Sequence, residues 1–203
     1  MLNKLKLQTG IFVLTAFLLG CNEFMIVGII SDLAQSFNVS LSSLGLLVTL
    51  FGIVYAGITP VLTAWTNRWP RYRVLMWLMG IFCIGNTLTT LTPNLFWLFV
   101  SRIITAAVAG VIISLILAFV SLLTPMEKRG MTVAAVFAGF SIATIIGVPI
   151  GTMISAAFSW RVSFGIISIF SILIWFLLAK ILPRYSEQMA GNLNGQLSMF
   201  KDA

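Results

Sequence analysis

LFWLFVSRIITAAVAGVIISLILAFVSLL, the run from Leu95 to Leu123, carries a single charge, Arg102, in a stretch that is otherwise apolar or small. Crossing a bilayer takes roughly 20 apolar residues at about 1.5 Å rise each, so this run is long enough to span one. Five further blocks of the same kind occupy residues 11–30, 44–65, 74–91, 131–158 and 162–182. Short polar breaks separate them. Together the six blocks predict an all-α membrane protein in which residues 1–182 form one bundle of six transmembrane helices. Only 8% of the residues are charged, against about 25% in a soluble domain. A sizeable soluble domain is therefore excluded.

The net charge of +7 does not point to nucleic acid, because the basic residues lie between the hydrophobic blocks. Lys4, Lys6, Arg68, Arg71, Arg73, Lys128, Arg129, Lys180, Arg184 and Lys201 fall on one side of the expected topology, and Arg161 alone on the other. This asymmetry places both termini in the cytoplasm of a multi-pass protein of the cell inner (plasma) membrane. The outer connections are then a loop over Ser31–Ser43, a turn at Thr92-Pro93-Asn94 and a turn at Ser159–Arg161. The short turns force neighbouring helices to run antiparallel. Pro93 and Asn94 mark one helix end and the next helix start, and Pro183 closes the last block. The first block is too long for a signal h-region and lacks a small-residue cleavage site, so it reads as a retained helix. In the tail, Met189, Leu193, Leu197 and Phe200 recur at helical spacing. They read either as an amphipathic segment on the inner membrane surface or as a frayed linker.

The chain has no histidine, which removes His-based zinc sites, Ser-His-Asp catalysis and His proton relays. No Gly-rich nucleotide-binding pattern occurs. An intramembrane protease would need a nucleophile with its base or paired aspartates, and Asp32 and Asp202 lie outside the blocks. The expectation is a protein that is not an enzyme and holds neither cofactor nor metal. Cys21 and Cys83 fall inside different blocks and read as apolar packing residues.

Two charges away from block ends remain, Glu23 and Arg102. An ionisable residue deep in a membrane helix is costly and normally faces a bundle interior or a water-filled cavity where it acts. Glu23 precedes the outer end of the first block by seven residues, and Arg102 follows the outer start of the fourth by seven. Both therefore sit roughly 10 Å below the outer face. Equal depth and opposite charge predict a pair in which Arg102 favours the ionised carboxylate while burial favours the protonated one. Cavity closure or substrate arrival would then let Glu23 take or release a proton. The alternative is a static ion pair joining two helices. Asn22 and Tyr55 are candidates to add hydrogen bonds in the same cavity, or are satisfied packing residues. Trp65, Trp69, Trp77, Trp97 and Trp160 lie near block ends, as interfacial anchors do.

The fifth block carries Gly139, Gly147, Pro149 and Gly151. Small residues allow close helix approach, while the proline frees a carbonyl and bends the helix. Tight packing alone also accounts for the glycines. The first and fourth blocks each hold one charge, and the second and fifth both hold glycine and proline. That correspondence fits a three-plus-three inverted repeat of the kind found in secondary transporters.

On these residues the chain resembles the N-terminal half of a major facilitator superfamily transporter, of the twelve-helix drug:proton antiporter group and its arabinose/sugar efflux permease-like branch. The likeness covers nearly all of residues 8–203. The stretch Asn22 to Gly28 is similar to that group's acidic motif. Gly57 to Leu75, with Arg68, Arg71 and Arg73, lies where the superfamily has its basic gating loop. Arg102 with Gly110 resembles the buried-arginine motif linked to proton coupling, and Gly139 to Gly151 the antiporter motif. Two departures stand out. Asn67 occupies the place of an aspartate that helps hold the cytoplasmic gate, and Pro70 the place of a glycine. The helix of Arg102 also has Ala106, Ala107 and Ala109 where glycines or polar residues are common.

The resemblance implies proton-coupled efflux of small organic molecules, sugar or drug-like, by alternating access. Glu23 and Arg102 would couple protons. Asn22 and Tyr55 would line the cavity, and Gly57, Asn67, Arg68, Arg71 and Arg73 would form the gate. The expected partners are the lipid bilayer, protons, a small organic substrate, and a C-terminal six-helix half or a second copy of this chain. Residues 183–203 read as the start of a central cytoplasmic linker. The expected length is thus that of a half: a truncated product, a fragment, or a half-size protein that dimerises. An inert remnant or a membrane scaffold without transport is the competing reading.

Overall fold

The computed structural model describes residues 2–183. The tail segment holding Met189, Leu193, Leu197 and Phe200 lies outside the described residues. Helices account for the fold: α1 (Leu2–Gly28), α2 (Ile30–Phe37), α3 (Leu41–Thr66), α4 (Arg71–Leu91), α5 (Leu95–Leu123), α6 (Met126–Ile142), α7 (Val148–Ala157) and α8 (Trp160–Ile181). A π-helical turn, Ala143–Gly147, joins α6 to α7. Among the described residues six stretches are long and apolar enough to cross a membrane: α1, α3, α4, α5, α6–α7 taken together, and α8.

Capping sets several of the boundaries. The Ser40 side chain accepts from the Ser43 amide and opens α3. Asn94 accepts from the Trp97 amide at 3.1 Å and opens α5. Ser159 accepts from the Arg161 amide and opens α8. Each of these side chains satisfies an N–H that the first helical turn cannot bond internally.

The packing follows a repeat. α1 lies along α6–α7, and α5 lies along α3. α4 packs on α5, α8 packs on α1, and α4 and α8 pack on each other. Exchanging the triplet α1, α3, α4 with the triplet α5, α6–α7, α8 reproduces the same neighbours. Corresponding helices run in opposite directions. This is a three-plus-three inverted repeat.

The sequence expectations need four adjustments here. The first helix begins at Leu2, not at residue 11, and ends at Gly28. The outer connection expected as a loop over Ser31–Ser43 is helical through Phe37. Leu33 of that helix is fully buried, and an apolar side chain recurring on one face of a short segment is enough to fold it against the bundle. Trp160 is no lipid-facing anchor: it is buried, and its Nε1 donates to Ser36 Oγ at 3.0 Å. Finally, the bend expected at Pro149 in the fifth block takes the form of a π turn. The Pro149 ring clashes with the carbonyl four residues earlier and offers no N–H. The helix widens ahead of it, so that the Val148 amide reaches Ala143 O.

Candidate functional site

Arg102 is the largest fully buried side chain among the described residues. It sits two turns into α5, at the place where α1, α3 and α8 also converge. Its Nη1 donates to Asn22 Oδ1 at 3.0 Å, and its Nη2 reaches the backbone carbonyl of Glu23 at 3.5 Å. The guanidinium carbon lies 4.5 Å from the ring centroid of Phe51 on α3 and 5.8 Å from that of Phe164 on α8. Two aromatic faces and a neutral amide therefore hold a buried cation. Cation–π attraction is strongest when such a charge is desolvated.

The expected pairing of Glu23 with Arg102 takes a different form from an ion pair. Arg102 bonds the main chain of Glu23 and the side chain of its neighbour Asn22. The physical reason lies in helix geometry. Successive residues are turned by about 100°, so Asn22 faces the interior, fully buried, while Glu23 is only half-buried. Arg102 Nε and Asn22 Nδ2 are buried and have no partner among the described residues. Each is a buried donor for which an acceptor oxygen would be favourable.

Tyr55 joins the cluster through α3. It stands one turn beyond Phe51, and the two rings stack with centroids 6.3 Å apart. Phe51 and Phe164 were invisible to sequence reasoning. A buried cation calls for a π face, but with 16 phenylalanines in the chain no pattern singles out those two.

Gly139, Gly147 and Gly151 of the α6–α7 segment face α1 at a constant spacing. A Cβ on Gly139 would stand 2.5 Å from Val13 O, one on Gly147 would meet Cys21 Sγ, and one on Gly151 would meet the end of Met25. Gly20 and Gly28 answer from α1, against Ala143 and Thr152. The two helices run parallel and in close contact along most of their length. On the α3–α5 seam Gly110 is similarly crowded by Thr59.

The basic loop is at the opposite end from α2. Asn67 is the C-cap of α3, Pro70 precedes α4, and Arg68, Arg71 and Arg73 are exposed. A Cβ added to Gly57, inside α3, would meet nothing within 4 Å among the described residues. The structure therefore gathers Asn22, Glu23, Arg102 and Tyr55 in one region and keeps the loop residues apart from it.

These features define a class: a helical membrane protein built as an inverted repeat around a buried cation. The sequence profile described as Major Facilitator Superfamily matches residues 12–198, and the chain belongs to that superfamily. It is 35% identical over 191 residues to the MFS-type transporter YbcL of Bacillus subtilis, covering 94% of this chain and 49% of that protein. It is 30% identical over 188 residues to a "Probable sugar efflux transporter" of Helicobacter pylori strain P12, covering 92% of this chain and 48% of that one. Among solved structures it resembles the proton:xylose symporter XylE, with a TM-score of 0.77 at 19% identity, covering 90% of this chain and 45% of that chain. A bacterial homologue of the human lysosomal transporter Spinster gives a TM-score of 0.75 at 17% identity, covering 88% and 44%. The chain spans about half the length of the relatives it matches.

Proposed function

We propose that this chain is the N-terminal half of a proton-coupled exporter of small organic molecules, sugar or drug-like, working by alternating access. The observation that carries the reading is Arg102, buried against the turn of α1 that bears Glu23 and bonded there without using the Glu23 carboxylate. Glu23 is the proton carrier. Ionised, it moves toward the two unpartnered donors, Arg102 Nε and Asn22 Nδ2; protonated, it is released from them. Arg102 and Asn22 set that balance, and Tyr55 lines the cavity. The sugar efflux relatives support a polyhydroxylated or similarly small cargo.

Gly139, Gly147, Pro149 and Gly151 hold α6–α7 close to α1, so that the pair moves as one body. Gly57, Asn67, Arg68, Arg71 and Arg73 form the gate on the cytoplasmic side, the side on which both termini lie in the inner membrane. A second six-helix half, from a longer chain or a second copy, completes the cavity. The sparse burial of α3 and α6–α7 within this half supports that. The test uses a protein containing both halves, in liposomes with an imposed proton gradient. Glu23→Gln abolishes gradient-driven export while the protein remains folded; unchanged export removes Glu23 from its role.

A further inference from the structure

At the basic end of the bundle, the seam between α4 and α8 opens into a groove of about 180 Å³. Tyr72 and Met76 of α4 and Trp175, Phe176 and Ala179 of α8 line it. Its two polar side-chain groups are spent inside the protein. Tyr72 Oη donates to Ala179 O at 3.2 Å, and Trp175 Nε1 donates to Met76 O at 3.0 Å. These crossed bonds tie the helices together at the groove and leave it apolar walls. The groove begins about one residue inside the start of α4 and reaches roughly 8 Å along that helix, to Met76.

The charged residues next in sequence to the lining residues Tyr72 and Ala179 are all basic. Arg73 lies three residues before Met76, about 60° around α4, and Lys180 lies one turn beyond Phe176 on α8. Both are exposed. Neither α4 nor α8 contains an acidic residue. The first turn of α4 has no side-chain cap, since Pro70 precedes it, so its free N–H groups add positive potential at the same place.

We propose that this groove holds one anionic phospholipid, with an acyl chain against Tyr72, Met76 and Trp175 and its phosphate between Arg73 and Lys180. An apolar slot whose neighbouring charges on α4 and α8 are, among the described residues, all cations matches a molecule with an apolar tail and an anionic head, and a zwitterionic lipid gains less from them. The inference is independent of transport and of Glu23. The test exposes the purified full chain in detergent to equimolar phosphatidylglycerol and phosphatidylcholine with identical tails, read by native mass spectrometry. Phosphatidylglycerol is retained in roughly tenfold excess. The double variant Arg73→Gln with Lys180→Gln brings the ratio close to one. Lys128→Gln, on α6 at the same end but away from the seam, leaves it unchanged. Ala179→Phe fills the groove and lowers phosphatidylglycerol retention in protein whose thermal melt is intact. Equal retention of the two lipids by the wild-type chain overturns the proposal. So does an equal loss from Lys128→Gln, which would mean diffuse charge attraction rather than a site.

Discussion

Arg102 Nη1 and Asn22 Oδ1 lie 3.0 Å apart and fasten α5 to α1 through a neutral amide. A carboxylate at this position would fix the guanidinium more tightly and would also consume its charge. The amide orients Arg102 while leaving its field available to the half-buried Glu23 one residue on. Asn22→Ala removes the acceptor and strands a buried cation, at a cost of about 2 kcal/mol. Asn22→Asp supplies a fixed anion instead. The expected order of thermal stability in detergent is Asn22→Asp above Asn22→Ala, with gradient-driven export by the two-half protein impaired in both. A fully active Asn22→Asp variant would show that Glu23 does not depend on a free Arg102.

The α1 to α6–α7 seam makes a graded prediction. A methyl at Gly139 meets the carbonyl oxygen of Val13, a backbone atom that cannot swing aside, whereas one at Gly151 meets the flexible end of Met25. Overpacking a rigid contact costs about 1–3 kcal/mol, and a methionine tip yields more readily. Gly139→Ala should therefore lower the melting temperature clearly more than Gly151→Ala. Equal effects would mean that the seam relaxes as a whole.

At the other end of the bundle, α2 is fastened at two points. Asp32 accepts a hydrogen bond from Ser155 on α7, and Ser36 accepts one from Trp160, whose ring also lies 5.6 Å from that of Phe37. With Asp32→Ala and Ser36→Ala combined, the apolar contacts of Ile30, Leu33, Ala34 and Phe37 remain to hold the helix. Hydrogen exchange over residues 30–37 should accelerate at least tenfold, the equivalent of about 1.4 kcal/mol for two lost bonds. Exchange in the middle of α1 should not change. Protection that persists over residues 30–37 would assign the docking to the apolar face of Ile30, Leu33, Ala34 and Phe37.

The six spans and their order were legible in the sequence because a bilayer imposes length and apolarity directly on the chain. The inverted repeat was legible from two weak correspondences, the single charges of the first and fourth blocks and the proline-bearing second and fifth. What escaped was decided by rotation about a helix axis rather than by spacing. Glu23 and Arg102 share a depth, yet it is Asn22 that faces the guanidinium, and a count of residues from block ends cannot fix which neighbour points inward. The α2 helix escaped because Ser31–Ser43 is mixed in polarity and owes its fold to Leu33 and to tertiary bonds with α7 and α8. Pro149 was legible as a bend, but not as a π turn, since the backbone can answer a proline in more than one way.

Gly57 separates the proposed gate from the fold. It lies in the interior of α3, where glycine is about 1 kcal/mol less favourable than alanine, and nothing described in this half comes within 4 Å of where a Cβ would stand. Neither a turn nor close packing inside the half requires a glycine there. If its role is to admit a neighbouring helix of the second half when the gate closes, Gly57→Ala should leave the melting temperature of this chain unchanged or raise it, and should reduce export by the two-half protein several-fold. Export at the wild-type rate would place the closing contact elsewhere on α3. A lowered melting temperature would instead reveal a packing role for Gly57 inside this half, and the loss of export would then be an effect on folding.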